Sequence, residues 1–226
     1  MPIFAGIDLT CSPNKKSAYA LLGDSRNIIH LESLVEVDDI IAAIERDRPD
    51  VIGIDSPLSL PSGLNACCLE EDNCSCQPTS DKKGRECERD LRQEGIWSYY
   101  TTKRSFIKGM IKRAMELSEK LKHRGFRIIE VYPYATKRRL WPEFIDKSKG
   151  SFPYKKTTLE GRKFFQALLS CIVGNMAQYP NLNHDKQDAI IAAFTAYLYD
   201  TNRTEPIGDR EEGEIIIPKK NLNLCI

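Results

Sequence analysis

No apolar run in this chain approaches the roughly 20 residues that a membrane-crossing helix needs. The longest candidate, Ala189 to Leu198, is interrupted by Thr195. The N-terminus, Met-Pro-Ile-Phe-Ala-Gly-Ile-Asp, carries an acid and no basic stretch, so it does not read as a secretory leader, and a cytoplasmic location is expected. Internal repeats, low-complexity tracts and a glycine-rich phosphate loop of the P-loop or dinucleotide type are all missing. Net charge is nearly absent too, at +1 over 226 residues. What remains is an ordinary globular composition, 41% hydrophobic and 29% charged, in a chain long enough to bury a core. Residues 1–226 read as a single domain.

The near-zero total hides an uneven spread. Residues 1–100 carry net −8, residues 101–163 net +12, and residues 164–226 net −3. An acidic part beside a basic part suits a metal site next to a polyanion-binding surface, although a solvated basic helix accounts for the same numbers. Eight cysteines are many for a chain expected in the cytoplasm. Cys67, Cys68, Cys74, Cys76 and Cys87 are clustered, whereas Cys11, Cys171 and Cys225 are scattered. A disulfide framework is not the default here, and a metal or reactive-thiol cluster competes with it.

Hydrophobic patterning predicts strands over Pro2–Leu9, Ser17–Leu22 and Ile28–Val37, with Ser12-Pro13-Asn14-Lys15-Lys16 as a turn and Gly23–Asn27 as a hairpin loop. Asp38 is expected to cap a helix to about Arg48, with Ile40, Ile41 and Ile44 on one face. Val51–Asp55 reads as a buried strand parallel to the first. Residues 56–84 are rich in Pro, Ser, Cys, Asp and Asn and look like an irregular insertion, Cys-rich from about 60 to 84. Helices are predicted over Arg85–Gln93, Ser105–Lys122, one turn at Thr136–Leu140, Thr158–Val173 and His184–Tyr199, with strands at Arg127–Tyr132 and Gly213–Pro218.

The sharpest feature is a phrase used twice. Ala5-Gly6-Ile7-Asp8 ends the first strand and Ile52-Gly53-Ile54-Asp55 ends the fourth. Ligand sites in open parallel sheets lie at the carboxyl ends of strands. Each glycine sits two residues before its aspartate, on the same face of the pleat, and leaves room there. An ionised aspartate beside a core is costly unless paired or bound to metal. Asp185 and Asp188 share one face of the last helix; acids in a first turn also simply favour the helix dipole. Glu130 is a lone acid in an apolar strand. Asp8, Asp55, Glu130, Asp185 and Asp188 are therefore the candidate catalytic acids, with Asp8, Asp55, Asp185 and Asp188 as candidate ligands. An all-oxygen set prefers Mg2+ or Mn2+. Two such ions about 4 Å apart stabilise the attacking and leaving oxygens of a phosphoryl displacement, here water attacking a phosphodiester without a covalent intermediate. His184 is a proton carrier in one reading and a helix-flanking residue in the other.

In order along the chain stand the Gly-Ile-Asp strand, Ile52-Gly53-Ile54-Asp55-Ser56-Pro57-Leu58-Ser59-Leu60-Pro61, Arg85-Glu86-Cys87-Glu88, Glu130-Val131-Tyr132-Pro133 and His184-Asp185-x-x-Asp188-Ala189. This succession resembles domain-of-unknown-function family 429, described as predicted RNase H-like nucleases related to RuvC-type resolvases. The resemblance covers essentially the whole chain. It implies an α/β fold with an RNase H-like mixed central sheet, three antiparallel strands followed by parallel strands, flanked by helices. It implies that Asp8, Asp55 and Asp185 or Asp188 match the metal-binding acids of that superfamily, and that Glu130 matches an acidic position of the family. Fold transfers along such a resemblance more securely than function.

The cysteine cluster departs from common zinc patterns such as paired C-x-x-C, yet four thiolates among Cys67, Cys68, Cys74, Cys76 and Cys87 can hold Zn2+ or an iron–sulfur cluster; disulfides and plain thiols are the alternatives. In the basic region, Lys103 and Arg104 follow Tyr99-Tyr100, and Lys137, Arg138 and Arg139 follow Glu130. Cations with neighbouring aromatics contact phosphates and stack on unpaired bases, so these five are candidate nucleic-acid contacts, with DNA and RNA both open. A divalent-metal-dependent nuclease is the leading reading. A phosphotransferase or nucleotide hydrolase on a related fold is the second, weakened because Leu9-Thr10-Cys11-Ser12 lacks a phosphate-loop glycine. A non-catalytic binding module organised by the cysteines is the third.

Overall fold

Alternating strand residues that must be buried on both sides require helices on both faces of a sheet, and the computed structural model has that arrangement. It describes residues 1–12, 14–71 and 73–222; Pro13 of the expected turn and Cys225 lie outside the described residues. Strands β1 (Ile3–Asp8), β2 (Ser17–Gly23) and β3 (Ile28–Leu34) form an antiparallel meander. Helix α1 (Val37–Asp47) then returns the chain so that β4 (Val51–Asp55) lies parallel to β1. After α2 (Cys67–Glu70), α3 (Glu86–Gln93) and α4 (Lys108–His123), strand β5 (Ile128–Val131) extends the parallel half. Helices α5 (Pro133–Leu140), α6 (Leu159–Leu169) and α7 (His184–Asp200) precede β6 (Thr204–Ile207) and β7 (Ile215–Pro218). The seven strands lie in the order β3-β2-β1-β4-β5-β7-β6. This is the RNase H-like mixed sheet expected from the sequence, three antiparallel strands then parallel ones, with the further edge strand β6 antiparallel to β7 and a cysteine cluster in the loop after β4.

Residue parity decides what each face carries. Ala5, Ile7, Ile52 and Ile54 pack against α1 and α4, through Ile40, Ile44, Ala114 and Leu117. Phe4, Val51, Ile129 and Val131 point the other way, onto Ala192 and Ala196 of α7. Helix α7 is wrapped on nearly every side, Ala189 through Ala196 all being buried, so it carries a continuous apolar run instead of a stripe. Among the described residues no helix is long and apolar enough to cross a membrane.

Three local differences have simple causes. Helix α1 begins at Val37 with Glu36 in the cap position and no side-chain cap, which places Asp38 in the first turn, where its charge favours the helix dipole. Helix α5 starts at Pro133, a residue suited to a first helical turn because its missing N–H would have no partner there. Strand β6 was not expected, since Pro206 interrupts its pattern; it survives at the edge of the sheet, where proline removes no ladder bond.

Gly6 and Gly53 are register partners on the α7 face. A methyl on Gly6 would land on the Ala189 carbonyl and the Ala193 amide, and one on Gly53 would sit 2.7 Å from the Ala192 carbonyl. Both glycines are seats for helix backbone. Gly6→Ala is expected to destabilise the chain by about 3 kcal/mol or more, because backbone cannot step aside as a side chain can. A urea titration measures this; an unchanged midpoint would mean that α7 does not rest on β1.

Candidate metal centre

The same close seating delivers a third acid to two others. Asp8 and Asp55 end β1 and β4 as direct register partners, both on the α7 face because each lies two residues beyond its glycine. Asn183 caps α7 by accepting from the Lys186 amide at 3.0 Å, so the helix starts at the strand ends. Asp188 sits one turn before Ala192, which rests over Gly53. Carboxylate oxygens of Asp8, Asp55 and Asp188 thus lie within 4.8 Å of one another. Asp188 is buried, while Asp8 and Asp55 are partly open.

Electrostatics follow from that crowding. Burial, then the Asp55 and Asp188 charges, pushes Asp8 well above the usual carboxylate range. Burial and the Asp188 charge push Asp55 up to about 7. Asp188 goes the other way: burial would raise it, but the Lys137 and Lys156 ammonium groups outweigh burial and hold it low. Lys137 pairs with Asp188 Oδ1 and lies 4.5 Å from the centre of the Phe165 ring. Lys156 pairs with Asp188 Oδ2 and is itself stabilised in charged form by Asp188, Asp55 and Asp8 against the cost of burial. Two lysines therefore balance part of a three-carboxylate cluster. A set of oxygen donors with surplus negative charge and two members partly open suits a hard divalent cation that keeps some of its waters.

Asp185 does not join the three. It accepts from Asn183 Nδ2 at 3.2 Å and lies 2.8 Å from His184 Nδ1, which makes no hydrogen bond to it, so its carboxylate sits at the start of α7. His184 is the first residue of α7, and its Nδ1 is buried without a hydrogen-bond partner. Glu130 departs further from expectation. It is the register partner of Ile54, so its side chain leaves the sheet on the face opposite Asp55, although both residues line one cleft at the strand ends. There Arg85 holds it with both terminal nitrogens, at 2.8 and 2.6 Å, and the Leu58 amide donates to it at 2.7 Å. Arg85 also donates to Glu88 Oε1 at 3.1 Å and to Ser59 Oγ at 2.9 Å. This buried network joins β5 to the start of α3 and to the loop after β4.

The candidate nucleic-acid contacts divide as well. Lys137 is buried on Asp188, and Arg139 is buried in pairs with Glu94 and Glu205. Neither is presented to a ligand in solution. Arg138 lies against the Tyr134 ring, 5.8 Å from its centre, and donates to the Gly150 carbonyl. Lys103 donates to the Cys74 carbonyl at 2.9 Å, and Arg104 is exposed. Cys87 is buried among Leu91, Ile215 and Ile217, apart from the other four clustered cysteines.

Two features escaped the sequence reading. Lys156 lies in a loop without a motif, 32 residues from the aspartate it meets. Trp97 begins an exposed aromatic chain, with Tyr99 at 4.3 Å and Phe106 a further 5.1 Å on. Arg92 lies over the Tyr100 ring at 4.1 Å. Tyr99 and Ile107 line both this basic aromatic surface and the cleft that contains Asp55. Exposed aromatics beside cations were the available signal.

A family model described as "Protein of unknown function (DUF429)" matches residues 6–213. No curated protein matches significantly. Two solved structures of RuvC from Thermus thermophilus are similar at 10% identity, each alignment covering 88% of this chain and 96% of the other. One, in complex with a Holliday junction substrate, gives a TM-score of 0.46; the other gives 0.45.

Proposed function

The chain belongs to the DUF429 family, and from that premise we propose that it is a divalent-metal-dependent nuclease acting on phosphodiester bonds of nucleic acid at Asp8, Asp55 and Asp188. One observation carries the proposal: three carboxylates from distant parts of the chain converge within 4.8 Å at the carboxyl ends of two parallel strands. Left alone, that arrangement is unfavourable, as the raised Asp8 and Asp55 show; clustered strain of this kind marks functional sites. Mg2+ or Mn2+ held there would act as a Lewis acid on phosphate oxygens and lower the pKa of a bound water.

The protein's own side chains have separable tasks. Asp8 and Asp55 present oxygens on the open side of the cluster. Asp188, fixed by Lys137 from within, sets the cluster's inner edge. Lys156 enters from the loop before α6 and supplies positive charge while no metal is present. Lys156→Gln is therefore expected to lower the thermal midpoint of the metal-free protein, with the deficit disappearing at saturating Mn2+. Differential scanning calorimetry with and without Mn2+ reads both; a deficit that persists in Mn2+ would make Lys156 a structural pair only.

Trp97, Tyr99 and Phe106 offer stacking faces beside Arg92 and Arg104, next to the Asp55 cleft. That combination suits unpaired bases, at about 1–3 kcal/mol per stacked base. Trp97→Ala with Phe106→Ala should weaken binding of a single-stranded oligonucleotide at least about tenfold, and that of a blunt duplex much less. Fluorescence anisotropy at fixed salt distinguishes the two; equal losses would remove the stacking role. For the activity itself, end-labelled single-stranded DNA, duplex DNA, a four-way DNA junction and single-stranded RNA are incubated with Mn2+ or Mg2+. The proposal expects cleavage of at least one substrate, abolished by EDTA and by Asp8→Asn. Cleavage that persists in EDTA would refute it.

A further inference from the structure

A segment with almost no regular structure has to be held by something other than its backbone. Between β4 and α3 the only regular element among the described residues is the single turn of α2. Its apolar contribution is small: Leu60, Leu64 and Leu69 pack with Cys68 against Ile111 of α4. Four cysteines sit on this patch, Cys68 buried and Cys67, Cys74 and Cys76 partly so, all as free thiols. Their sulfurs lie within 4.8 Å of one another, with Cys67 to Cys76 at 3.4 Å and Cys68 to Cys74 at 3.2 Å.

We propose that Cys67, Cys68, Cys74 and Cys76 form a structural tetrathiolate zinc site that fastens this insertion onto α4. A tetrahedral ion with bonds of about 2.3 Å to sulfur sets its sulfurs about 3.8 Å apart, which is the spacing already approached here. An iron–sulfur cluster places an inorganic core between its cysteines and needs them farther apart. Cys87 has no part in the site, being enclosed in the core beside β7.

Two N–H donors reach the sulfurs. The Asn65 amide donates to Cys68 Sγ at 3.5 Å, and Asn65 Nδ2 donates to Cys76 Sγ at 3.6 Å. Such N–H donors orient metal-bound sulfur and disperse its charge. Zinc binding releases the four thiol protons to solvent and leaves a net charge of about −2 on the complex. The Lys103 ammonium lies beside it, donating to the Cys74 carbonyl at 2.9 Å. The site therefore also fixes the segment bearing Lys103 and Arg104, which with Asn73 and Gln77 line a basic surface depression. Because a small or irregular segment folds around its metal, the binding energy becomes folding energy.

The test uses the full chain, purified under reducing conditions without added metal. Metal analysis is expected to find about one zinc per chain, released by a mercurial titration of four thiols. Cys67→Ser with Cys76→Ser should reduce zinc to background, and Asp8→Asn should keep it, which separates this site from the carboxylate cluster. Should the cysteine variant fail to fold, the wild-type chain refolded with Co2+ still reports: the intense visible bands of a tetrahedral cobalt tetrathiolate are expected. Limited proteolysis after zinc removal should cut within residues 60–84 at least about tenfold faster. Four freely reactive thiols with no metal, two disulfides, or iron in place of zinc would each overturn the proposal.

Discussion

Asp55→Asn is expected to abolish cleavage and at the same time stabilise the metal-free protein. Losing one ligand of a catalytic divalent ion forfeits several kcal/mol of transition-state stabilisation, on the order of a 10³-fold fall in rate. The stability gain comes from the crowding that raises Asp55 to about 7 through burial and the neighbouring Asp188 charge. A carboxyl whose folded value exceeds its unfolded value holds its proton longer in the folded state. Folding stability in EDTA therefore falls as pH rises from about 4 to about 7, and the ionised group remains a burden above that. The amide removes the burden, worth about 1–3 kcal/mol at neutral pH after allowance for relaxation. Asp8→Asn should behave alike.

Asp188→Asn should lose activity to the same extent but with the opposite stability change. Its charge is the partner of Lys137, whose side chain is only 4% exposed, and stranding a buried ammonium costs about 3 kcal/mol or more. Urea titrations in EDTA across pH 4–8, paired with cleavage assays in Mn2+, test both signs. If all three amide variants destabilise the protein equally, the carboxylates are structural.

Breaking the Arg85–Glu130 pair should produce the largest loss of stability in the molecule. Arg85 and Glu130 side chains are 1% and 5% exposed, and Arg85 also serves Glu88, 3% exposed. Arg85→Met leaves two carboxylates buried without their cation, a cost of about 3–5 kcal/mol. Glu130→Gln costs less, because Glu88 still neutralises Arg85. Thermal melts and urea midpoints for the two single variants and the double variant give the coupling between them. Activity per folded molecule should remain within about tenfold of wild type in Glu130→Gln, since Glu130 leaves the sheet on the other face and is not one of the three grouped carboxylates. A fully stable, inactive Glu130→Gln protein would instead put this glutamate in the catalytic cluster.

Much of the sheet was legible because β1 and β4 repeat one phrase, and a strand written as Gly-Ile-Asp fixes its own parity. The glycines were read as room beside the carboxylates; they are in fact seats for α7, and that docking selects Asp188 over Asp185. Periodicity alone places both acids on one helical face, and no local signal separates them. Glu130 was misplaced for a related reason: its side of the sheet depends on register against Ile54, a tertiary fact. Lys137 and Arg139 looked like ligand contacts because their partners, Asp188, Glu94 and Glu205, lie far away in sequence. Cys87 was grouped with its neighbours by number, whereas α3 carries it into a different core. Lys156 had no pattern to betray it at all.

Diffraction from crystals of this chain soaked in Mn2+, collected near the manganese edge, tests the central claim most directly. Anomalous density is expected among Asp8, Asp55 and Asp188, with Lys156 displaced from Asp188, and it should vanish in Asp8→Asn crystals. Manganese bound only elsewhere, with Lys156 still paired to Asp188 at saturating Mn2+, would contradict the account.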